Sequence, residues 1–255
     1  MLKRFLASVV FVLTVVFNVW AFGPALQAVL SNSSTGGGGG CDSCTSGLLF
    51  SWHGETTDVT TGTPCGCSVG DSTATAVGTP TISTSQYEDG THSVSISTAN
   101  YSYSFDWNTS TSPIVTVSDG RVDLWAYWST ITYGTNLFTL TTDADNHINV
   151  FNETNNITLN HVAGGTIRHV SSPASSIATG AWYHIIARWY ATGSSQYYLQ
   201  LCVDTTNATT CTAGSYYDAL GTWAGTSGTV SIGDIGNNGG VYFVDNVKIY
   251  NSGAF

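Results

Sequence analysis

The chain has 255 residues, of which 28 are glycine and only 9% are charged, and its formal net charge is −10. Past residue 21 the only basic residues are Arg121, Arg168, Arg188 and Lys248, against 16 Asp and Glu, which excludes nucleic acid or another polyanion as a partner. Solubility then rests on Ser, Thr, Asn and Gly, a composition that suits an exported β-rich protein and leaves self-association possible on a weakly charged surface.

Residues 1–21 start with Lys3 and Arg4, run apolar from Phe5 and exit through Val19, Trp20 and Ala21, the pattern of a secretory signal peptide cut after Ala21. The alternative is a retained membrane anchor that draws on apolar residues up to Leu30. Asn18, Gly23, Pro24 and Gln27 oppose it, since they would interrupt a helix in lipid. No later segment is apolar enough to span, so the mature chain is expected to be secreted or at the cell surface. Residues 22–40 end in "SNSSTGGGGG", a Gly/Ser-rich tether with no Lys-Ser/Thr to make it a phosphate loop. Residues 41–80 read as a cysteine-rich lead-in packed on the main sandwich. Its Cys41, Cys44, Cys65 and Cys67 are expected to pair among themselves. A four-thiolate zinc site is the alternative, disfavoured where an oxidising compartment removes thiolates. Cys202 and Cys211 bracket "VDTTNATT" and read as a disulfide closing a hairpin loop.

Residues 81–255 carry short alternating segments separated by Gly, Asn, Asp and Ser. Strands are expected near 92–97, 101–106, 113–117, 121–129, 137–141, 147–152, 156–160, 166–170, 182–190, 196–203, 229–233 and 241–250. With no amphipathic helix and no repeat period, the fold class is all-β, an antiparallel jelly-roll sandwich of two curved sheets.

Six segments in order, "RVDLWAYWSTI", "LFTL", "INVFNETNNITLNH", "TGAWYHIIARWY", "YYLQLCVDTTNA" and "VSIGDIGNNGGVYFVDNVKIYN", resemble the strand succession of laminin-G-like members of the concanavalin A-like lectin/glucanase superfamily. The resemblance covers roughly residues 87–251. It implies a jelly roll but no single function, because that superfamily holds lectins, protein-binding modules and glycoside hydrolases.

Glycosidases commonly use two carboxylates flanking the scissile bond. The laminarinase-like relatives carry them as E-x-D-x-x-E on one strand, whereas here Glu55, Glu88 and Glu153 are the only glutamates and none lies in such a strand. Asp119 reads as a turn residue and Asp123 as a polar residue at a strand edge, so no catalytic pair is expected. His184 shares a face with Trp182 and Ile186 and reads as a hydrogen-bonded core histidine, while His161 and His169 lie eight residues apart on different expected strands and would meet only by accident of register. Sugar recognition stacks an aromatic face on a pyranose, and the aromatics placed in loops are the candidates: Trp107, Tyr133 and Trp223, then Tyr216 and Tyr217.

In "VYFVDNVKIYN", strict alternation puts Asp245 on the apolar face with Val241, Phe243, Val247 and Ile249, and Lys248 on the other. A buried carboxylate needs a partner. Three are open: structural calcium shared with Glu88 and Asp89 of "YEDGTHS", donors without metal, or an arginine, Arg188 first. The expected function is a secreted, non-catalytic module that binds an extracellular ligand, a neutral glycan first. The alternatives are a self-assembling adhesive surface protein and a hydrolase or lyase with an unrecognised site.

Overall fold

Period-two alternation, punctuated by Gly, Asn and Asp, yields fifteen strands and no helix among the described residues. The computed structural model describes residues 48–54, 74–97, 102–108, 119–192, 196–206, 211, 213–221, 227–233 and 240–250, all within the unit Gly36–Phe255. The signal peptide, the tether, the four N-terminal cysteines, Trp223 and the strand expected at 113–117 lie outside them. In chain order the strands are β1 (Leu48–Trp52), β2 (Ala74–Val77), β3 (Thr81–Ser83), β4 (Ser93–Ile96), β5 (Ser102–Asn108), β6 (Gly120–Trp128), β7 (Thr135–Asp143) and β8 (Asn146–Glu153). They continue with β9 (Asn156–Ala163), β10 (Thr166–Ser171), β11 (Trp182–Ala191), β12 (Tyr197–Asp204), β13 (Ala213–Tyr217), β14 (Ser227–Gly233) and β15 (Tyr242–Tyr250).

All pairings are antiparallel and form two sheets. The eight-stranded sheet runs β13-β12-β11-β6-β15-β4-β3, with β1 also on β15; the seven-stranded sheet runs β10-β9-β8-β7-β14-β5-β2. Two strands, β1 and β2, come from before residue 81. The inward faces of both sheets meet in one core that includes Trp52, Leu124, Trp128, Leu140, Ile185 and Trp189. Leu124 and Trp128 therefore point inward, and Trp125 and Tyr127 point outward. Between β9 and β10, Gly164 and Gly165 at φ 56° and 72° supply the left-handed pair that a two-residue type I′ hairpin requires.

The alternation read for β15 is overturned by a β-bulge. Its register against β6 slips between Asp245 and Lys248, with Asn246 at φ 48°. Tyr242 and Val244 face the core before the slip, Val247 and Ile249 after it. Asp245 and Lys248 consequently share the outer face. On its far edge β15 pairs first with β4 and then with β1, and the bulge sits where the partner changes.

Candidate functional site

Asp245 points outward from its sheet yet is fully buried, because the β3–β4 turn closes over it. Its Oδ2 accepts hydrogen bonds from the backbone amides of Glu88 at 2.9 Å and Asp89 at 3.2 Å, and Oδ1 accepts one from Asn246 at 2.8 Å. Glu88, Asp89 and Asp245 thus meet at one corner. Burial outweighs those amides and pushes the Asp245 carboxyl up to about 8. Glu88 is pushed up to about 7 by burial and then by the Asp89 charge, partly offset by Lys248. Arg188 is engaged elsewhere, on Gln200. Among the described residues no three His, Cys, Asp or Glu side chains are placed to hold a metal ion.

The outer face of the eight-stranded sheet is far from a plain solvated surface. Asp123 is not at a strand edge: it lies midway along β6, flanked by Ile186 of β11 and Lys248 of β15. A carboxylate is tolerated there because Arg121, two residues back on the same face, puts its Nε 2.9 Å away and Lys248 adds charge. Burial still raises the Asp123 carboxyl to about 6. His184, expected in the core, lies on this face too and stacks on Trp125 at 4.8 Å. Its Nδ1 is buried without a hydrogen-bond partner, and burial, then the charges of Arg121 and Lys248, lowers its pKa to about 4. Arg121 covers the Tyr250 ring at 3.9 Å, and Arg188 donates to Gln200 Oε1 while its guanidinium lies 5.2 Å from the Tyr190 ring.

Register then assembles an aromatic row. Tyr190 of β11 opposes Tyr198 of β12, which opposes Tyr216 of β13. The rings follow at 5.6 Å and 4.4 Å, and the last, Tyr216, is 65% exposed at the sheet edge. Gly214 makes room for Tyr198: a Cβ there would fall 1.8 Å from its hydroxyl. Tyr217 points the other way, toward β10, where its hydroxyl bonds both the N–H and the C=O of His169 and so caps an unpaired strand edge. Between β10 and β13 lies an open cleft of about 470 Å³ lined by His169, Ser171, Pro173, Gly214, Ser215 and Tyr217.

Of the aromatics chosen from sequence, Tyr216 and Tyr217 sit together at this edge. Tyr133, 61% exposed, stands in the β6–β7 turn. Trp107 belongs to strand β5, opposite Gly228 of β14, and not to a loop, because the strand runs on to Asn108. Tyr190, Tyr198, Arg188, Gln200 and Asp123 were missed as a group. Alternation in "RVDLWAYW" and "WYHIIARWY" signals one face for each strand, but only register brings them into rows. Cys202 and Cys211 are joined, with Cα atoms 4.0 Å apart.

No family profile and no curated protein matches the sequence. Solved structures do. The binding domain of botulinum neurotoxin serotype D superposes with TM-score 0.58 at 10% identity, over 82% of this chain and 49% of that one. The binding domain of botulinum neurotoxin DC, in complex with SialylT, gives 0.59 at 7% identity, over 82% and 49%. Domain 4 of an extracellular GH43 arabinanase from Geobacillus stearothermophilus, in complex with arabinotriose, gives 0.53 at 13% identity, over 82% of this chain and 94% of that domain. The chain spans about half the length of the neurotoxin domains it matches. At these identities the likeness carries the fold alone: this chain is an all-β, two-sheet antiparallel sandwich.

Proposed function

We propose that the protein is an extracellular, non-catalytic saccharide-binding module whose ligand lies along the tyrosine row of β11, β12 and β13. The observation that carries this is the row itself, which opens at the exposed ring of Tyr216. A pyranose stacks its apolar face on such rings, and the Arg188–Gln200 pair beside them offers donors to its hydroxyls. The arabinanase domain and neurotoxin domain solved with arabinotriose and SialylT support a sugar as the class of ligand. A neutral glycan is the form proposed, and the laminin-G-like resemblance of residues 87–251 is the branch of the fold to which the chain is assigned.

The non-catalytic part draws support from the carboxylates. Asp123 is engaged by Arg121, Glu88 lies in the β3–β4 turn, and Glu153 ends β8. Structural calcium at the Glu88, Asp89 and Asp245 corner also belongs to the proposal. The three carboxylates do not converge on one point among the described residues, so calcium would have to draw them together with turn carbonyls, holding as anions two carboxyls that burial otherwise drives toward neutrality.

Titration of the purified chain with neutral oligosaccharides, arabinotriose among them, tests the site. Tyr216→Ala and Tyr198→Ala should each weaken binding by about 1 kcal/mol, with Tyr216→Ala leaving the melting temperature unchanged. Unaltered affinity in both variants would remove the row from the site.

A further inference from the structure

On the opposite side of the sandwich the outer face of the seven-stranded sheet is built from hydroxyls and amides. Ser104, Ser231, Thr139, Asn149, Asn160 and His169 oppose one another in turn across β5, β14, β7, β8, β9 and β10. A depression of about 320 Å³ opens over the middle of that row, lined by Asn136, Thr139, Thr141, Asp143, His147 and Asn149.

Most polar groups in the depression are spent on the protein. Asn149 Nδ2 donates to Asn136 Oδ1 at 3.0 Å, and Thr141 Oγ1 donates to the Asp143 carbonyl at 2.9 Å. Asp143 Oδ1 accepts from the Asp145 amide and from Asn146 Nδ2, both at 2.8 Å, which fixes the β7–β8 turn. His147 Nδ1 lies 3.1 Å from the Ala144 carbonyl. Two atoms are left over: among the described residues Thr139 Oγ1 and Asn149 Oδ1 have no hydrogen-bond partner and no surface open to water, so a ligand meets them only when the two side chains turn toward the depression. Thr139 is only 4% exposed, and it is the cross-strand partner of Asn149. Valine has the same shape as threonine without the unpaired hydroxyl, so the hydroxyl is an avoidable cost that a ligand would relieve.

We infer that this depression is a second saccharide site, in which Thr139 and Asn149 take adjacent hydroxyls of one neutral sugar. One sugar hydroxyl donates to Asn149 Oδ1, and its neighbour accepts from, or donates to, Thr139 Oγ1. No Lys or Arg lines the depression, and the Asp143 carboxylate would repel an anion, so acidic sugars are disfavoured. The site lies on the other sheet from the tyrosine row and does not depend on it. Two sites on one polysaccharide chain or surface would raise avidity without either being tight.

The test is a titration of the full chain with arabinotriose and, in parallel, sialyllactose, followed by the side-chain amide resonance of Asn149 and by melting. In the wild type that resonance should shift saturably with arabinotriose. Thr139→Val should weaken this response about three- to tenfold and leave the melting temperature equal or higher. Thr139→Ser, which keeps the hydroxyl and leaves the Asn149–Asn136 bond in place, should retain the Asn149 response better than Thr139→Val. If Thr139→Val titrates like the wild type, if it melts several degrees lower, or if arabinotriose leaves the Asn149 amide unmoved, the inference is overturned. Tyr216→Ala separates the two sites: an intact Asn149 response in that variant supports this site whatever happens at the tyrosine row, and loss of the Asn149 response there overturns its independence.

Discussion

Asp245 should make the folded protein less stable as pH rises through neutrality, and the size of the effect follows from its burial. Its carboxyl sits near 8 in the folded state and near 3.8 when solvated, so between those values the native state holds a proton that the unfolded chain has released. Stability is fully present below the lower value and is lost as pH climbs toward the upper one. Other groups confuse the acid half of that window. His184 is shifted down to about 4, so it loses stability as pH falls below 6.5, opposite in sign to the carboxyls; Asp123, near 6, is largely spent above neutrality. The range from pH 6.5 to 8 isolates the corner. At about 1.4 kcal/mol per pH unit, Asp245 alone should lower stability by about 2 kcal/mol there. Glu88 acts in the same direction, but it is half-exposed and screened, and adds only a few tenths. The melting temperature should fall by about 4–8 °C.

Thermal melts by circular dichroism across pH 6.5–8 would measure this, with chelator and with excess calcium, for the wild type and Asp245→Asn. The asparagine cannot ionise, so its melting temperature in chelator should be flat over the window. It should start lower at pH 6.5, by about 1–3 kcal/mol, because its NH2 then faces the Asn246 amide, and the gap should close as pH rises. A bound calcium holds the carboxylates ionised, so excess calcium should abolish the wild-type decline and raise the pH 8 melting temperature. A decline of equal slope in Asp245→Asn would refute the assignment to this residue. Identical wild-type melts in calcium and chelator would remove the metal and leave the three amides of Glu88, Asp89 and Asn246 as its described partners.

Gly214→Ala should fold but push the Tyr198 ring aside, reproducing the weaker saccharide binding of Tyr198→Ala in the same titration. Asp123→Asn should cost about 1–2 kcal/mol in denaturant unfolding, because it removes the charge of a largely buried ion pair with Arg121. A β-glucanase activity in the wild type that this substitution abolishes would overturn the non-catalytic proposal. Opening the Cys202–Cys211 bridge by Cys202→Ser should cost about 2–3 kcal/mol of stability, and non-reducing peptide mapping should recover the two cysteines as one linked pair.

The long strands were legible because each pairs a core face with a distinct outer face. Segments at 121–129, 182–190 and 196–203 carry the alternation that β6, β11 and β12 realise to within a residue or so at each end. The short ones were not: β3 and β13 span three and five residues and owe their extension to neighbours, Ser93–Ser95 for β3 and Tyr197–Leu201 for β13. The approach of the Glu88–Asp89 turn to Asp245 was legible, but it is made through backbone amides, and the face of Lys248 was misread. Glu88, Asp89 and Asp245 do meet, but alternation cannot foresee a bulge, and one extra residue at Asn246 moved Lys248 onto the face from which it had been excluded.

The row of tyrosines marks a deeper limit of reading one strand at a time. Within "WYHIIARWY" both faces of β11 are rich in apolar and aromatic residues, broken only by His184 and Arg188, a pattern close to that of a strand buried on both sides. Yet the described residues supply a sheet only on the Trp189 face; on the other, Trp182, His184, Arg188 and Tyr190 remain half-buried among their own cross-strand neighbours. Such a face covers itself laterally, ring on ring and guanidinium on ring, and stops where the sheet ends. Among the described residues no strand continues the stack past β13, and Tyr216, 65% exposed, has one described neighbouring ring. Lateral stacking that would otherwise stabilise the face ends at that edge among the described residues, and the flat, partly apolar saccharide proposed above, with hydroxyls at its rim, would continue it.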